Sequence, residues 1–328
     1  MIIFISLFLL FIILYPIKYR KIILRCGSHY SHNSNKYIGD NRDVYLKVVL
    51  GILCLFCGIR DITIGSDTIR YVESFEAESV LNTVLLNGES KFEIGYKFLV
   101  KIIRCITNNS NAFIFICAVL AFVGFYFFLK ENCKDNYQIA VMIFMAFLYY
   151  TTFSALRQSI ALAIGINSVS ALRKRNWIKA SLLIAIGALF HSTELVLLIM
   201  VPLSMTKWSK KKIYFSIAIA FSIVILFPHI MNMAVKYFPV YERYMTSDLM
   251  GASGSAIGLF SILTGILVML STYKLATNYS KYEESYKTII IISIVGSVFA
   301  IAFDLVGHRF ALLSRVTRFF IPYIMVLG

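Results

Sequence analysis

Apolar runs of membrane length dominate this sequence and limit its fold more than any other feature. They fall at about 1–17, 44–59, 111–129, 138–153, 156–172, 213–231, 257–274 and 288–306. A helix crossing a hydrocarbon core needs roughly 20 mostly apolar residues, and in lipid only helices and closed barrels satisfy their own backbone groups. Runs of this length, with 59% hydrophobic and 15% charged residues and a mean hydropathy of +0.77, predict an all-α, polytopic membrane bundle. The whole chain, 1–328, reads as one membrane domain. Residues 1–17 have neither the basic start nor the small-residue cleavage site of a signal peptide, and they read as the first span.

Two stretches are less regular. Residues 178–204 are apolar but interrupted by His191-Ser192-Thr193-Glu194, and basic segments flank both sides, Arg173-Lys174-Arg175 before and 207–212 after. Positive segments stay cytoplasmic, so the stretch is expected to enter and return as two short helices broken at His191. The run 319–328 is too short for a span, so the final helix reads as incomplete. The total is about 11 spans. With the N-terminus outside, the inner segments 18–47, 130–137, 173–179, 205–212 and 274–287 hold 20 of the 32 Lys and Arg residues. Inner net charge is then +14 and outer +1. The formal charge of +15 is thus topology, with no call for a nucleic-acid partner.

The chemistry concentrates on the outer side. In Phe153-Ser-Ala-Leu-Arg157-Gln158, an arginine and a glutamine open a helix of small and aliphatic residues. An arginine between two membrane-length segments belongs in a bundle interior or wet cavity. Beside a helix start it makes an anion site. The outer segment 60–110 begins Arg60-Asp61 and continues through Gly65-Ser66-Asp67-Thr68, a turn and cap ahead of Tyr71 and Phe75. Farther on, apolar positions 94, 98, 99, 102, 103 and 106 share one helical face, opposite Lys97, Lys101 and Arg104. This predicts an amphipathic helix lying on the outer interface. Cys54 and Cys57 are one turn apart within a span and read as packing. There is no Asp-x-Asp and no histidine pair at i,i+4, so no metal constellation is expected.

These elements occur in a set order: Arg60…Gly65-x-Asp67-Thr68-x-x-Tyr71, Phe92-Glu93-x-Gly95-Tyr96, Leu156-Arg157-Gln158-x-x-Ala161, Phe190-His191-Ser192 and Arg315-x-x-x-Phe319-Phe320. Together they resemble the EpsG/Wzy-like family of exopolysaccharide and O-antigen repeat-unit polymerases. Thr193-Glu194 departs from the pattern, which has a small residue and an apolar one there. The resemblance implies a membrane glycosyltransferase in a bacterial cytoplasmic membrane, and the dispersed carboxylates and histidines point to a metal-independent transfer without cofactor, arginines taking the place of a cation. It would move a growing glycan from undecaprenyl pyrophosphate to the terminal sugar of another lipid-linked repeat, at the extracytoplasmic face. Its partners would be the two lipid-linked glycans, the bilayer and a chain-length regulator protein.

Such chemistry needs cations for the diphosphate leaving group and a base for the acceptor hydroxyl. The expected catalytic residues are His191 and Asp67, converging on one outward cavity with Arg157. The substrate-binding residues are Arg157, Gln158, Arg315, Arg60, Tyr71 and Glu93. Which of His191 and Asp67 takes the proton is left open by the sequence. Each residue also has an ordinary structural role available. Arg157 could be a snorkelling helix-end arginine, Arg315 one of an interfacial group with Arg309 and Arg318, and Arg60 a span end paired with Asp61. His191 could be a hydrogen-bonded hairpin residue, Asp67 only a cap, and Glu93 an acid at the head of an amphipathic helix. His229, His308, Glu194, Asp304 and residues 241–244 are further candidates for a sugar groove, without a motif. A transporter or flippase of lipid-linked sugars is the competing class, but no second half repeats the broken stretch 178–204.

Overall fold

The structure, a computed structural model, describes residues 41–78, 92–134, 136–205, 210–237, 257–307 and 311–327. The expected first span at 1–17, the residues 241–244, His308 and Arg309 lie outside the described residues. Within them every element is helical. In chain order these are α1 (Asn41–Gly58), α2 (Thr68–Ala77), α3 (Ile94–Ile106), α4 (Ser110–Asn132), α5 (Tyr137–Phe147), α6 (Tyr149–Ser154), α7 (Leu156–Gly165), α8 (Ser168–Arg173), α9 (Trp177–Ala188), a 3₁₀ helix Ser192–Ile199, α10 (Met200–Met205), α11 (Lys210–Tyr237), α12 (Ile257–Thr277), a short 3₁₀ helix Tyr279–Lys281, α13 (Glu284–Gly307) and α14 (Ala311–Leu327).

Two of these helices, α4 and α13, are long and apolar enough to cross a membrane, and shorter apolar helices surround them. α1 packs on α4, α4 on α7, α7 on α9, and α13 on α11, α12 and α14. A main core joins the bundle, beside a small second cluster of Leu275, Ile291 and Ile294. The main core is rich in rings: Phe122, Phe125, Phe144, Tyr149 and Phe153 meet at centroid distances of 4.8–6.2 Å, mostly edge to face. Such pairs add about 0.5–1.5 kcal/mol each beyond burial.

The outside of the bundle is equally apolar. Val48, Leu55 and Phe56 on α1, Phe127 on α4, Ile178 and Leu182 on α9, Phe221 and Ile225 on α11, and Met269 and Leu270 on α12 are all more than two-fifths exposed. Contiguous apolar faces of this extent on several helices suit lipid rather than water.

Several expected elements are divided. The run 138–153 is two helices, α5 and α6, and the run 156–172 is broken into α7 and α8. At the second break the Asn167 side chain donates to the Ala163 and Gly124 carbonyls at 2.8 and 3.1 Å, while its own N–H reaches only Ile164 O at 3.3 Å. A side-chain amide that takes the i−4 carbonyl interrupts the helix ladder. The stretch 178–204 is also broken where expected. α9 stops at Ala188, His191 is extended (φ −156°, ψ 110°), and the chain folds back so that Glu194 packs on Gly187. The last helix starts at Ala311, so Arg315 and Arg318 are helical residues one turn apart and not part of an outer loop.

The amphipathic helix is present as α3, but with the opposite face buried. Tyr96, Lys97, Val100 and Ile103 pack inward, while Ile94, Phe98, Ile102 and Ile106 are 50–73% exposed. The exposed stripe at i,i+4 spacing is the face that an interfacial helix presents to lipid. The protein core takes the other apolar row.

Polar groups gather at the two ends of the bundle. At one end Asp43 pairs with Lys47 (2.8 Å) and Lys130 (3.2 Å), and Glu131 with Lys174 (2.5 Å) and Arg173 (3.6 Å). These residues come from the segments expected to be cytoplasmic. At the other end of α1, α4 and α9 lie Arg60, Glu93, Arg157 and His191.

Candidate functional site

The site is built where the starts of α2, α3 and α7, the break after α9 and the first turns of α14 meet. Arg157 reaches the first turn of α7 because Ala155 leaves helical geometry (φ −125°, ψ 72°) and ends α6. Its side chain, 18% exposed, forms an ion pair with Glu93. Three aromatic rings surround the guanidinium: Phe92 at 4.6 Å, Tyr71 at 5.7 Å and Tyr96 at 5.8 Å from the ring centroids. Arg157 and the Tyr71 phenol also act on each other electrostatically. Cation–π contacts of this kind contribute about 0.5–2 kcal/mol each when partly desolvated.

Glu93 connects this arginine to the broken hairpin. Its Oε1 accepts from the Ser192 N–H at 3.3 Å and stands 3.3 Å from His191 Nδ1, a contact too poorly aligned to be a full hydrogen bond. Burial works to raise the Glu93 carboxyl, but the His191 contact and the Arg157 charge outweigh it and hold it at about 2, against 4.5 ordinarily. Gly95 makes the approach possible. Its N–H donates to Leu189 O at 2.8 Å, and a Cβ there would lie 2.8 Å from that same oxygen. The whole Phe92-Glu93-x-Gly95-Tyr96 element thus serves Arg157 and the hairpin tip: two rings, a carboxylate and a close contact.

On the far side, α14 supplies two more cations. Arg318 donates to Gln158 Oε1 at 3.0 Å, and Gln158 Nε2 donates to the Arg315 carbonyl at 2.8 Å, so the buried Gln158 fastens α14 to α7 beside Arg157. Neither Arg315 nor Arg318 has a carboxylate partner among the described residues, and Arg315 is exposed. Phe319, one residue on, stacks on His191 at 6.2 Å and 23°.

Asp67 stands at the start of α2 but makes no side-chain cap bond. Its carboxylate acts electrostatically on Tyr71 and Arg318, which places it on the same side of the cluster. No hydrogen bond or ion pair joins Asp67 to His191, and Tyr71, Arg157 and Glu93 link the two.

Arg60 is placed differently. It is 6% exposed, and its donors go to the carbonyls of Cys57 (2.5 Å), Phe153 (3.0 Å) and Ile64 (3.3 Å), with the guanidinium 5.3 Å from the Phe153 ring. The alternative role, a pair with Asp61, is not formed, since Asp61 accepts from the N–H and hydroxyl of Thr63. Arg60 therefore fastens the end of α1 beneath the site and is not joined to the Glu93 cluster. Thr68 shares the Phe153 carbonyl at 3.0 Å.

The sequence alone understates two residues and misplaces a third. Glu93 reads as an acid at the head of an amphipathic helix, yet it holds both Arg157 and the hairpin tip. Arg318 was read as an ordinary neighbour of Arg315, although the i,i+3 spacing already put both on one helix face. Glu194, a candidate for the sugar groove, is fully buried and cannot line one.

A helix bundle with apolar outer faces, charged ends, and arginines and a histidine gathered at one end defines a helical membrane protein. The chain belongs to the EpsG family, whose model matches residues 43–327. The match and the apolar helices place it among membrane proteins of polysaccharide biosynthesis. No curated protein and no solved structure matches the chain.

Proposed function

We propose that the protein polymerises lipid-linked oligosaccharide repeat units. It transfers a growing glycan from undecaprenyl pyrophosphate to the terminal sugar of another lipid-linked repeat, at the extracytoplasmic face of a bacterial cytoplasmic membrane. In this step the acceptor hydroxyl oxygen bonds to the donor's anomeric carbon, the bond from that carbon to the diphosphate oxygen breaks, and the hydroxyl proton passes to a base. The observation that carries the reading is the pairing of two cation groups. Among the described residues Arg315 and Arg318 have no carboxylate partner, and they sit beside an Arg157–Glu93–His191 cluster in which a carboxylate, an imidazole and a guanidinium are already in contact.

The roles follow from the partners. Arg315 and Arg318 receive the diphosphate and stabilise the charge that grows on it as the bond breaks, arginine being suited to bidentate phosphate contacts. Arg157 extends the same positive field and is held rigidly by Glu93 and three rings. His191 presents Nδ1 to Glu93, which orients the ring and stabilises the imidazolium formed when Nε2 takes the proton. Asp67, with its carboxylate free of the helix backbone, is placed to hydrogen-bond the acceptor sugar. The exposed stripe of α3 and the apolar helix faces keep the polyprenyl chains in lipid.

Purified protein in lipid vesicles, supplied with a lipid-linked repeat unit, tests this. Glycans longer than one repeat and released undecaprenyl pyrophosphate are expected. Movement of the lipid-linked unit across the bilayer with no elongation would instead assign a flippase.

A further inference from the structure

Below the outward cluster is a second polar group that the transfer does not use. Glu194 is 0% exposed, and among the described residues neither carboxyl oxygen has a hydrogen-bond partner and no ion pair reaches it. The surrounding helices are shaped to hold it. A Cβ on Gly165 of α7 would lie 1.6 Å from Glu194 Oε1, and a Cβ on Gly187 of α9 would lie 2.9 Å from Glu194 Cγ. From α14 comes Tyr323, 1% exposed, with its hydroxyl also unpartnered and close enough to Glu194 for the two groups to act on each other electrostatically. The Tyr323 ring in turn fills the place of a side chain at Gly296 of α13, where a Cβ would lie 2.3 Å away. Three glycines on three helices thus make room for two buried polar side chains.

A bare carboxylate in such a place is too costly to persist, because an unpaired charge loses its hydration with nothing to replace it, and such groups neutralise or find a cation. A metal cage of oxygen ligands needs about six or more. Glu194, Tyr323 and the Ala161 carbonyl, the last 3.0 Å from the vacant Gly187 Cβ position, fall short of that number. A proton needs one oxygen. We propose that Glu194, backed by Tyr323, is a proton-binding site in the interior of the bundle, where the carboxylate takes up one proton and rests as the neutral acid. Since the Glu194 N–H donates to the His191 carbonyl at 3.0 Å, the bound proton also keeps the 3₁₀ helix seated and holds the backbone that carries His191. The inference does not depend on the polymerase reading.

Infrared spectra of the full chain in lipid vesicles at neutral pH test it, with ¹³C-labelled glutamate and Glu194→Gln for comparison. The expected result is a carboxylic-acid C=O band that shifts in D₂O and is missing from Glu194→Gln. A wild-type minus variant difference showing a carboxylate pair of bands in place of the acid band overturns the proposal, and sodium dependence of those bands would assign a cation site in its stead. If Glu194→Gln fails to fold, wild-type membranes are treated with dicyclohexylcarbodiimide. The lipophilic reagent adds a protonated carboxyl across one C=N bond: oxygen bonds to carbon, the proton goes to nitrogen, and the product rearranges to a stable N-acylurea. Peptide mapping should find the adduct on Glu194, and adducts on other carboxyls with none there overturn the proposal.

Discussion

Replacing Glu93 by glutamine keeps the size of the side chain and removes its charge, which isolates what that charge does. In the folded protein the carboxylate serves the Arg157 guanidinium, His191 Nδ1 and the Ser192 N–H, with the two ion-pair side chains 18% and 19% exposed. The carboxyl is held at about 2 instead of 4.5. At roughly 1.4 kcal/mol per pH unit that gap corresponds to about 3 kcal/mol. Partial access to solvent reduces this to about 2 kcal/mol. Because the folded value lies below the unfolded one, the contribution is fully present above about pH 4.5 and is lost as pH falls toward 2.

Denaturant titration in mixed micelles should therefore show Glu93→Gln about 2 kcal/mol less stable than wild type at pH 7, with the difference closing below about pH 4.5. If His191 and Arg157 work in the geometry seen here, the same loss of orientation should reduce polymer formation by at least about tenfold. A Glu93→Gln protein with wild-type stability at pH 7 and wild-type polymer would refute the reasoning. So would a stability difference that widens as pH falls.

Other outcomes follow from the same geometry. Arg157→Ala, Arg315→Ala and Arg318→Ala should each abolish polymer while the protein stays in the membrane, and lysine at these positions should restore only part because it lacks the planar fork; wild-type chain length in any alanine variant removes that residue from the site. Gly65→Ala should cost about 2–4 kcal/mol, since φ is +104° and a Cβ would lie 2.1 Å from the Phe153 carbonyl that Arg60 and Thr68 share; an unchanged unfolding midpoint would count against that junction. In a Cys105→Ser background, an impermeant maleimide applied to intact cells should label Arg70→Cys and leave Lys174→Cys unlabelled. The reverse pattern would invert the proposed orientation.

What the sequence alone determined follows from properties that accumulate along the chain. Hydropathy over about 20 residues reports a span whatever its neighbours are, so α1, α4, α12 and α13 stand near their expected bounds. The break at His191 was legible for a similar reason, because basic segments on both sides of 178–204 leave the stretch no single crossing. Segment charge grouped 18–47, 130–137 and 173–179 on one side, and Asp43 with Lys130 and Glu131 with Lys174 do meet at one end of the bundle.

The tertiary structure decided what depends on partners far apart in sequence. Which face of α3 is buried could not be read from its periodicity, since both rows are apolar and only the packing of Tyr96 and Val100 chooses between them. The division of 156–172 depends on Asn167 finding the Gly124 carbonyl on another helix. The importance of Glu93 depends on Arg157 and His191, 64 and 98 positions away, coming to the same carboxylate. An acid at a helix start looks alike whether it faces water or a guanidinium, and only the folded chain supplies the second charge.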